Sequence, residues 1–422
     1  MIAHNRTERG QALVILVFAL VGLLAFAALG IDGGMVYTAR RNAQNASDAA
    51  SLAAALVLVD SDTGNDSTFD DVALASALVN GYEEDANQSK VTIHRPPITG
   101  TFVGDDDYIQ VFITTTLSTA FAHFIYSGEL QTTVEAVSRI IPAGPLYEGN
   151  ALVALSPDDC RAMDFNGAQG TFIFGGGVFS NSTANGSPTN CDAGFQNGSG
   201  EVNVTGGGIN TVGTFGQVGS GAVDPAPVEN NLQVVPLTVP APNCSLLGAS
   251  QGNQTIAGNS DVTLDPGQYG RVKMTSSNAS LTLNPGLYCV TEFEITGGTL
   301  IGTGVTIYVT SDEFKVVGAS SVNMSAPNIG GTGVPPAIPG MLIYMAEGND
   351  SGVELAGNAL TVYTGTIFSP DGPIKIVGTE DTFALSSQLI GYTVDIGGNG
   401  FVNITFDAND VYQAPAHIEL AR

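Results

Sequence analysis

Val262-Thr-Leu-Asp-Pro-Gly-Gln-Tyr269 returns nineteen residues later as Leu281-Thr-Leu-Asn-Pro-Gly-Leu-Tyr288. Each copy is a short alternation of apolar and small polar residues, then a Pro-Gly corner, then an aromatic. A strand this short cannot bury a face alone, so its recurrence marks a chain that stacks one turn on the next. Similar runs follow at Val305–Val309, Phe314–Val317, Thr366–Phe368, Ile374–Val377, Thr393–Ile396 and Phe401–Phe406, and precede at Thr171–Phe174, Val178–Phe179 and Val202–Val204. Nearly all end at Gly, Asn or Pro. The pattern predicts an all-β domain over 146–422, a right-handed parallel β-helix. The alternative is a β-sandwich, which also produces short strands between turn signals; scarce two-residue hairpin turns favour the helix.

Two stretches do not fit the rungs. Residues 223–244 are Pro-rich and end at Cys244, so they are expected to cross between two blocks of coils. Ala326-Pro327 to Pro339-Gly340 reads as a surface excursion. Composition agrees with turn-rich β structure: 53 glycines and no Trp in 422 residues. With 13 Lys+Arg against 40 Asp+Glu, a net charge of −27, no basic stripe exists to displace counterions from phosphates, which excludes nucleic acid as a partner. Four cysteines and four histidines without CxxC or HxxxH spacing argue against a zinc site.

Working back to the N-terminus, Gly10 to Ile31 holds no charged residue and is apolar on every face, long enough to cross a bilayer at ~20 residues. It exceeds the ~7–15-residue apolar core of a cleaved secretory signal. Arg6 and Arg9 precede it and Asp32 follows, so the positive-inside rule puts residues 1–34 as a cytoplasmic stub and transmembrane anchor, with the bulk outside. Residues 35–59 continue as an Ala-rich extended helix without Pro or Gly. In it Ala39, Ala43, Ala46, Ala50, Ala53 and Val57 form a heptad-like seam for close helix packing, against a partner helix or the protein's own next domain. Gly30, Gly33 and Gly34 mark a candidate hinge.

This front end resembles the N-terminal segment of TadG-like proteins of the tight-adherence (Flp) pilus assembly family. The resemblance rests on Arg9-Gly10, Asp32-Gly33-Gly34, Tyr37, Arg40 and Gln44-Asn-Ala-Ser-Asp-Ala-Ala50, within the first sixty residues. It implies a membrane-anchored envelope protein that helps build or anchor adhesive pili, with pilus-assembly or pilin-like membrane helices as partners. Ile15 stands where prepilins carry Glu, so cleavage after Gly10 is not expected. The DxSxS metal site of some TadG members is missing. Gly365–Pro370 and Gln388–Tyr392 resemble the terminal coils of β-helical surface proteins.

Residues 60–145 read as a small α+β domain: a helix through Val72–Val79, strands at Lys90–His94 and Tyr108–Leu117, a helix at Ala120–Tyr126, and a strand at Gln131–Ile141. That order predicts three antiparallel strands with two helices on one face. Asp60, Asp62 and Asp66 alternate as calcium ligands would, but without the terminal Glu of an EF-hand; a solvated turn is the plainer reading. His123 reads as a packed helix residue. Outside the cytoplasm, Cys160, Cys191, Cys244 and Cys289 read as disulfides, with 160–191 and 244–289 preferred by proximity.

No catalytic or cofactor-binding residue is nominated. A β-helical lyase needs clustered carboxylates with Arg271 or Lys315 beside them, and Asp158-Asp159, Asp312-Glu313 and Glu380-Asp381 read as loop acids. An adhesin for a surface glycan should show an exposed row among Tyr269, Tyr288, Tyr308, Tyr344, Tyr363 and Tyr392; a ladder inside the coil is the alternative. The sequence thus predicts a non-enzymatic envelope protein that projects its β-domain outward.

Overall fold

The computed structural model describes residues 8–60, 68–83, 85–86, 88–118, 121, 130–234, 236–319, 321–328, 335–379 and 382–421. They form two compact units, one of residues up to 143 together with those from 415, the other of 144–414.

In the first unit, α1 (Glu8–Asp60) is one uninterrupted helix of 53 residues, ~80 Å at 1.5 Å per residue. Ala and Leu dominate it and no proline enters, so nothing breaks the ladder of backbone hydrogen bonds. Gly30, Gly33 and Gly34 lie inside the helix, which passes through the expected hinge without a break. The apolar first part stands bare, with Phe18 72 % and Phe26 78 % exposed.

From Ala43 onward α1 packs against α2 (Phe69–Val79) and an antiparallel sheet. The sheet runs β1 (Asp85–Ala86), β2 (Ser89–His94), β3 (Tyr108–Leu117), β4 (Leu130–Ile141), then the C-terminal strand His417–Ala421. The expected three strands are therefore five, and the last strand belongs here and not to the β-domain, because Ile418 joins this core. Ile109, Val111 and Ile113 alternate along β3 into the same core, the period-2 signature of a half-buried strand. The expected helix at 120–126 lies outside the described residues, apart from Phe121.

The alanine seam needs correction at its lower end. Ala43, Ala46 and Ala50 are fully buried, but the stripe continues through Ala54 and Leu58, leaving Ala39, Ala53 and Val57 half-buried. A straight helix drifts ~20° per heptad against a 3.5-residue repeat. The cover of this stripe is the protein's own domain. Ser47 Oγ donates to the Val111 carbonyl at 2.8 Å and Ser138 Oγ to Ser51 Oγ at 2.7 Å, so the close approach also satisfies buried hydroxyls.

Apart from the short antiparallel pair Gly144–Pro145 with Gln413–Ala414, the strands of the second unit pair in parallel, which an antiparallel sandwich does not do. Val262 pairs with Leu281 and Leu281 with Leu300, so one turn of chain advances one strand. Each turn adds a strand to a ten-stranded sheet and to two flanks of a seventeen-stranded wide sheet; the long strands Thr361–Ser369 and Thr382–Gly391 run through both flanks. Inward residues stack from turn to turn, as in Val272, Phe293, Phe314, Val353, Ile374, Val394 and Met163. Each buried apolar side chain contributes ~1.5–3 kcal/mol. The repeated phrase has a local cause: Tyr269 Oη donates to the Asp265 carbonyl at 2.6 Å and Tyr288 Oη to that of Asn284 at 2.7 Å, tying each Pro-Gly corner to the coil.

The spatial order of turns is not the sequence order. The chain enters mid-stack at Leu152–Phe165 and coils to one end at Phe215–Gly219. It resumes at the other end with Gln254–Ile256 and coils back until Val394–Gly398 pairs with Met163–Phe165. Residues 225–253, which hold no strand among the described residues, make the return; the Pro-rich crossing thus begins after Asp224, since Val223–Asp224 is itself a strand, and extends past Cys244. Ten strands at ~4.8 Å span ~43 Å, within reach of that connection at ~3.3 Å per residue.

Candidate functional site

Three outer faces meet different fates. On the ten-stranded sheet, register places Lys273, Glu294, Lys315, Glu354, Lys375, Asp395 and Asp164 in one column. Lys273 reaches Glu294 at 2.5 Å; Lys315 and Lys375 share Glu354 at 2.6 and 3.4 Å; Arg271 reaches Glu292 at 2.5 Å. The Lys315 hydrogen bond holds the Glu354 carboxyl below its ordinary range and that glutamate raises the lysine. The cations a lyase would need are therefore paired in a ladder. Among the described residues, no three of His, Cys, Asp and Glu gather as a metal site.

The ladder ends in like charges. Burial, then Asp395, push Asp164 up to about 6, with Arg161 at 4.0 Å opposing. Asp395 is itself raised by burial, against a hydrogen bond from Asn166 and the charge of Lys375. One oxygen of Asp164 is buried without a hydrogen-bond partner. Neither residue was singled out from the sequence; the alternation of Lys and Glu at turn spacing was the available signal.

The second flank of the wide sheet lies under the return segment. Asn181 donates to the Val234 carbonyl at 3.1 Å and accepts from its N–H at 2.8 Å; Tyr147 Oη accepts from Leu237 N–H at 2.9 Å; Tyr344 Oη donates to the Val239 carbonyl. Cys244 is bonded to Cys289 and Gln268 reaches the Cys244 carbonyl at 2.8 Å. The segment is a strap over an apolar cluster that includes Val239, Tyr344, Phe368 and Ile390. A cavity of about 430 Å³ opens beside it, lined by Tyr344, Phe368, Tyr392, Glu347 and Asp371 among others. The second disulfide joins Cys160 to Cys191.

The exposed tyrosine row that the adhesin alternative requires does not form, and the tyrosines follow the other alternative, a ladder inside the coil. Tyr269, Tyr288, Tyr344 and Tyr363 are buried and Tyr308 and Tyr392 half-buried. Tyr269 stacks on Tyr288 inside the coil at 6.2 Å, and burial pushes Tyr344 up to about 12. Of the calcium candidates, Asp62 and Asp66 lie outside the described residues, and Asp60 ends α1. Glu380 and Asp381 also lie outside them.

The remaining feature is the bare apolar part of α1 leading into a stripe built into its own domain. Residues 10–57 match the family described as "Putative Flp pilus-assembly TadE/G-like". The front end of the chain is thus a TadE/G-like segment, and it coincides with the apolar and Ala-rich parts of α1. No curated protein matches the chain. Among solved structures, the competence-associated pilin ComZ from Thermus thermophilus aligns at 10 % identity over 80 % of this chain and 89 % of that one. The TM-score of that alignment is 0.23.

Proposed function

We propose that this chain is a non-enzymatic, single-pass envelope protein of a Tad (Flp) pilus-like system. Its N-terminus lies in the cytoplasm, and a right-handed parallel β-helix of residues 144–414 projects outward as a stalk or spacer. The observation that carries this is the TadE/G-like helix itself: apolar and bare where a bilayer would surround it, then locked into a folded domain by Ala43–Leu58. Arg6 and Arg9 before the span and Asp32 after it support the orientation. Two disulfides support an oxidising exterior. The paired cations of the ladder support a structural role over a catalytic one.

Fusions at Arg422 test the orientation. Alkaline phosphatase should be active there and a green fluorescent protein dark; the reverse overturns the topology. Deleting the chromosomal copy should reduce surface pili. Unchanged pilus number and length with correct topology would leave an envelope protein outside pilus assembly.

A further inference from the structure

We infer that the first flank of the wide sheet is a docking surface for a neutral, extended polysaccharide. The inference rests on the β-domain lying outside the cell. Seven consecutive strands of this flank, from Ser280–Leu283 through Gly170–Phe174 in spatial order, contain no charged residue, in a chain of net charge −27. Asp261 and Glu201 appear only in the strands beyond them. Among the described residues, no strap like that of residues 225–253 crosses this flank.

Its outward columns are regular. Register aligns Thr303 with Ser325, Ser325 with Thr364 and Thr364 with Ser386, a line of hydroxyls stepped at strand spacing, ~4.8 Å. Beside it run Ile301, Asn323, Val362, Ala384, Asn403 and Phe172. Ile301 and Val362 are 39 % and 42 % exposed, and Phe172 packs against Phe401 at 6.0 Å, with Phe401 40 % exposed. Exposed apolar side chains thus alternate with amides and short hydroxyls along an uncharged face.

The mixture selects the partner. Sugar rings present hydroxyls at their edges, which Ser, Thr and Asn can bond as donor and acceptor, and C–H faces, which aromatic and branched side chains cover. In-register parallel strands repeat the same contacts along one direction, as an extended polymer does. An anionic polymer would find no cation here, and a second copy would bring a second charge of −27 against the first. A neutral polysaccharide meets neither obstacle.

The test uses the full chain in detergent and microcrystalline cellulose as the probe. Wild type should be retained, and retention should fall at least tenfold for both Ala384→Glu and Ala384→Lys, because either charge must be desolvated against a neutral surface. Leu232→Glu, a charge on an exposed strap residue, should bind as wild type. Unchanged melting temperatures would separate docking from folding. No retention of wild type, equal retention of all variants, or loss of self-association without cellulose binding would overturn the inference. None of these outcomes depends on the topology reporters, so the two readings fail separately.

Discussion

Asp164 and Asp395 face each other across the junction where the last turn meets the first, 231 positions apart in sequence. The folded Asp164 titrates near 6, above the ~3.9 of an unfolded aspartate. The native state therefore binds its proton more tightly between about pH 4 and 6. Stability from this group is present at low pH, falls as pH rises through that window, and stays reduced above it. Asp164→Asn should raise the stability of the β-domain by about 1–2 kcal/mol at pH 8 and flatten its dependence between pH 5 and 8. Thermal melts at both pH values check this; a lower melting temperature for the variant at pH 8 would refute the account. The pair was illegible in the sequence because register between distant turns is set by the whole stack. The Pro-Gly-x-Tyr corner, by contrast, was legible, since its hydrogen bond closes over four residues.

Among the elements, α1 shows how far periodicity carries. Lack of Pro and Gly after Met35, with frequent Ala, predicted the helix, and the small side chains predicted a close approach. The heptad spacing then misplaced the lower stripe, because α1 packs on a sheet as well as on the short α2, does not supercoil and keeps its 3.6-residue period. Ala54→Leu should therefore cost about 1–3 kcal/mol by overpacking the core that α1 shares with α2 and the sheet, whereas the half-buried Ala53 should accept Leu with under ~1 kcal/mol lost. Protease resistance of the first unit in detergent reports both. A heptad seam against another helix would make Ala53→Leu the damaging change. The fourth and fifth partners of this sheet were not visible in the pattern, since Asp85–Ala86 is two residues long and His417–Ala421 returns from the far end of the sequence.

Across the second unit as a whole, the strap does more than connect. A stack of parallel turns ends in open strand edges that can recruit another chain, and natural stacks cap them. Here both caps come from the two ends of one connection. At its start, Val228 exchanges hydrogen bonds with Ile209 and Thr211 at 2.8 and 2.9 Å, and Glu229 accepts from the Phe215 N–H at 2.8 Å. At its finish, Gln251 N–H bonds the Gln268 carbonyl at 2.8 Å, next to the edge strand Gln254–Ile256. Asp224 at one end and Asp261 and Asp265 at the other add like charge to both edges. Starting mid-stack is what permits this: a chain that coiled from end to end would need two separate caps, whereas this one must run back along its own side and covers an apolar flank on the way. If the caps keep the protein from joining end to end, Glu229→Ala combined with Asp224→Asn should free an edge of backbone donors and remove its charge. Sedimentation velocity of the full chain in detergent should then show concentration-dependent association that wild type lacks, stronger at high salt where the remaining repulsion is screened. A monodisperse double variant at all concentrations would show that the strap serves the apolar flank alone.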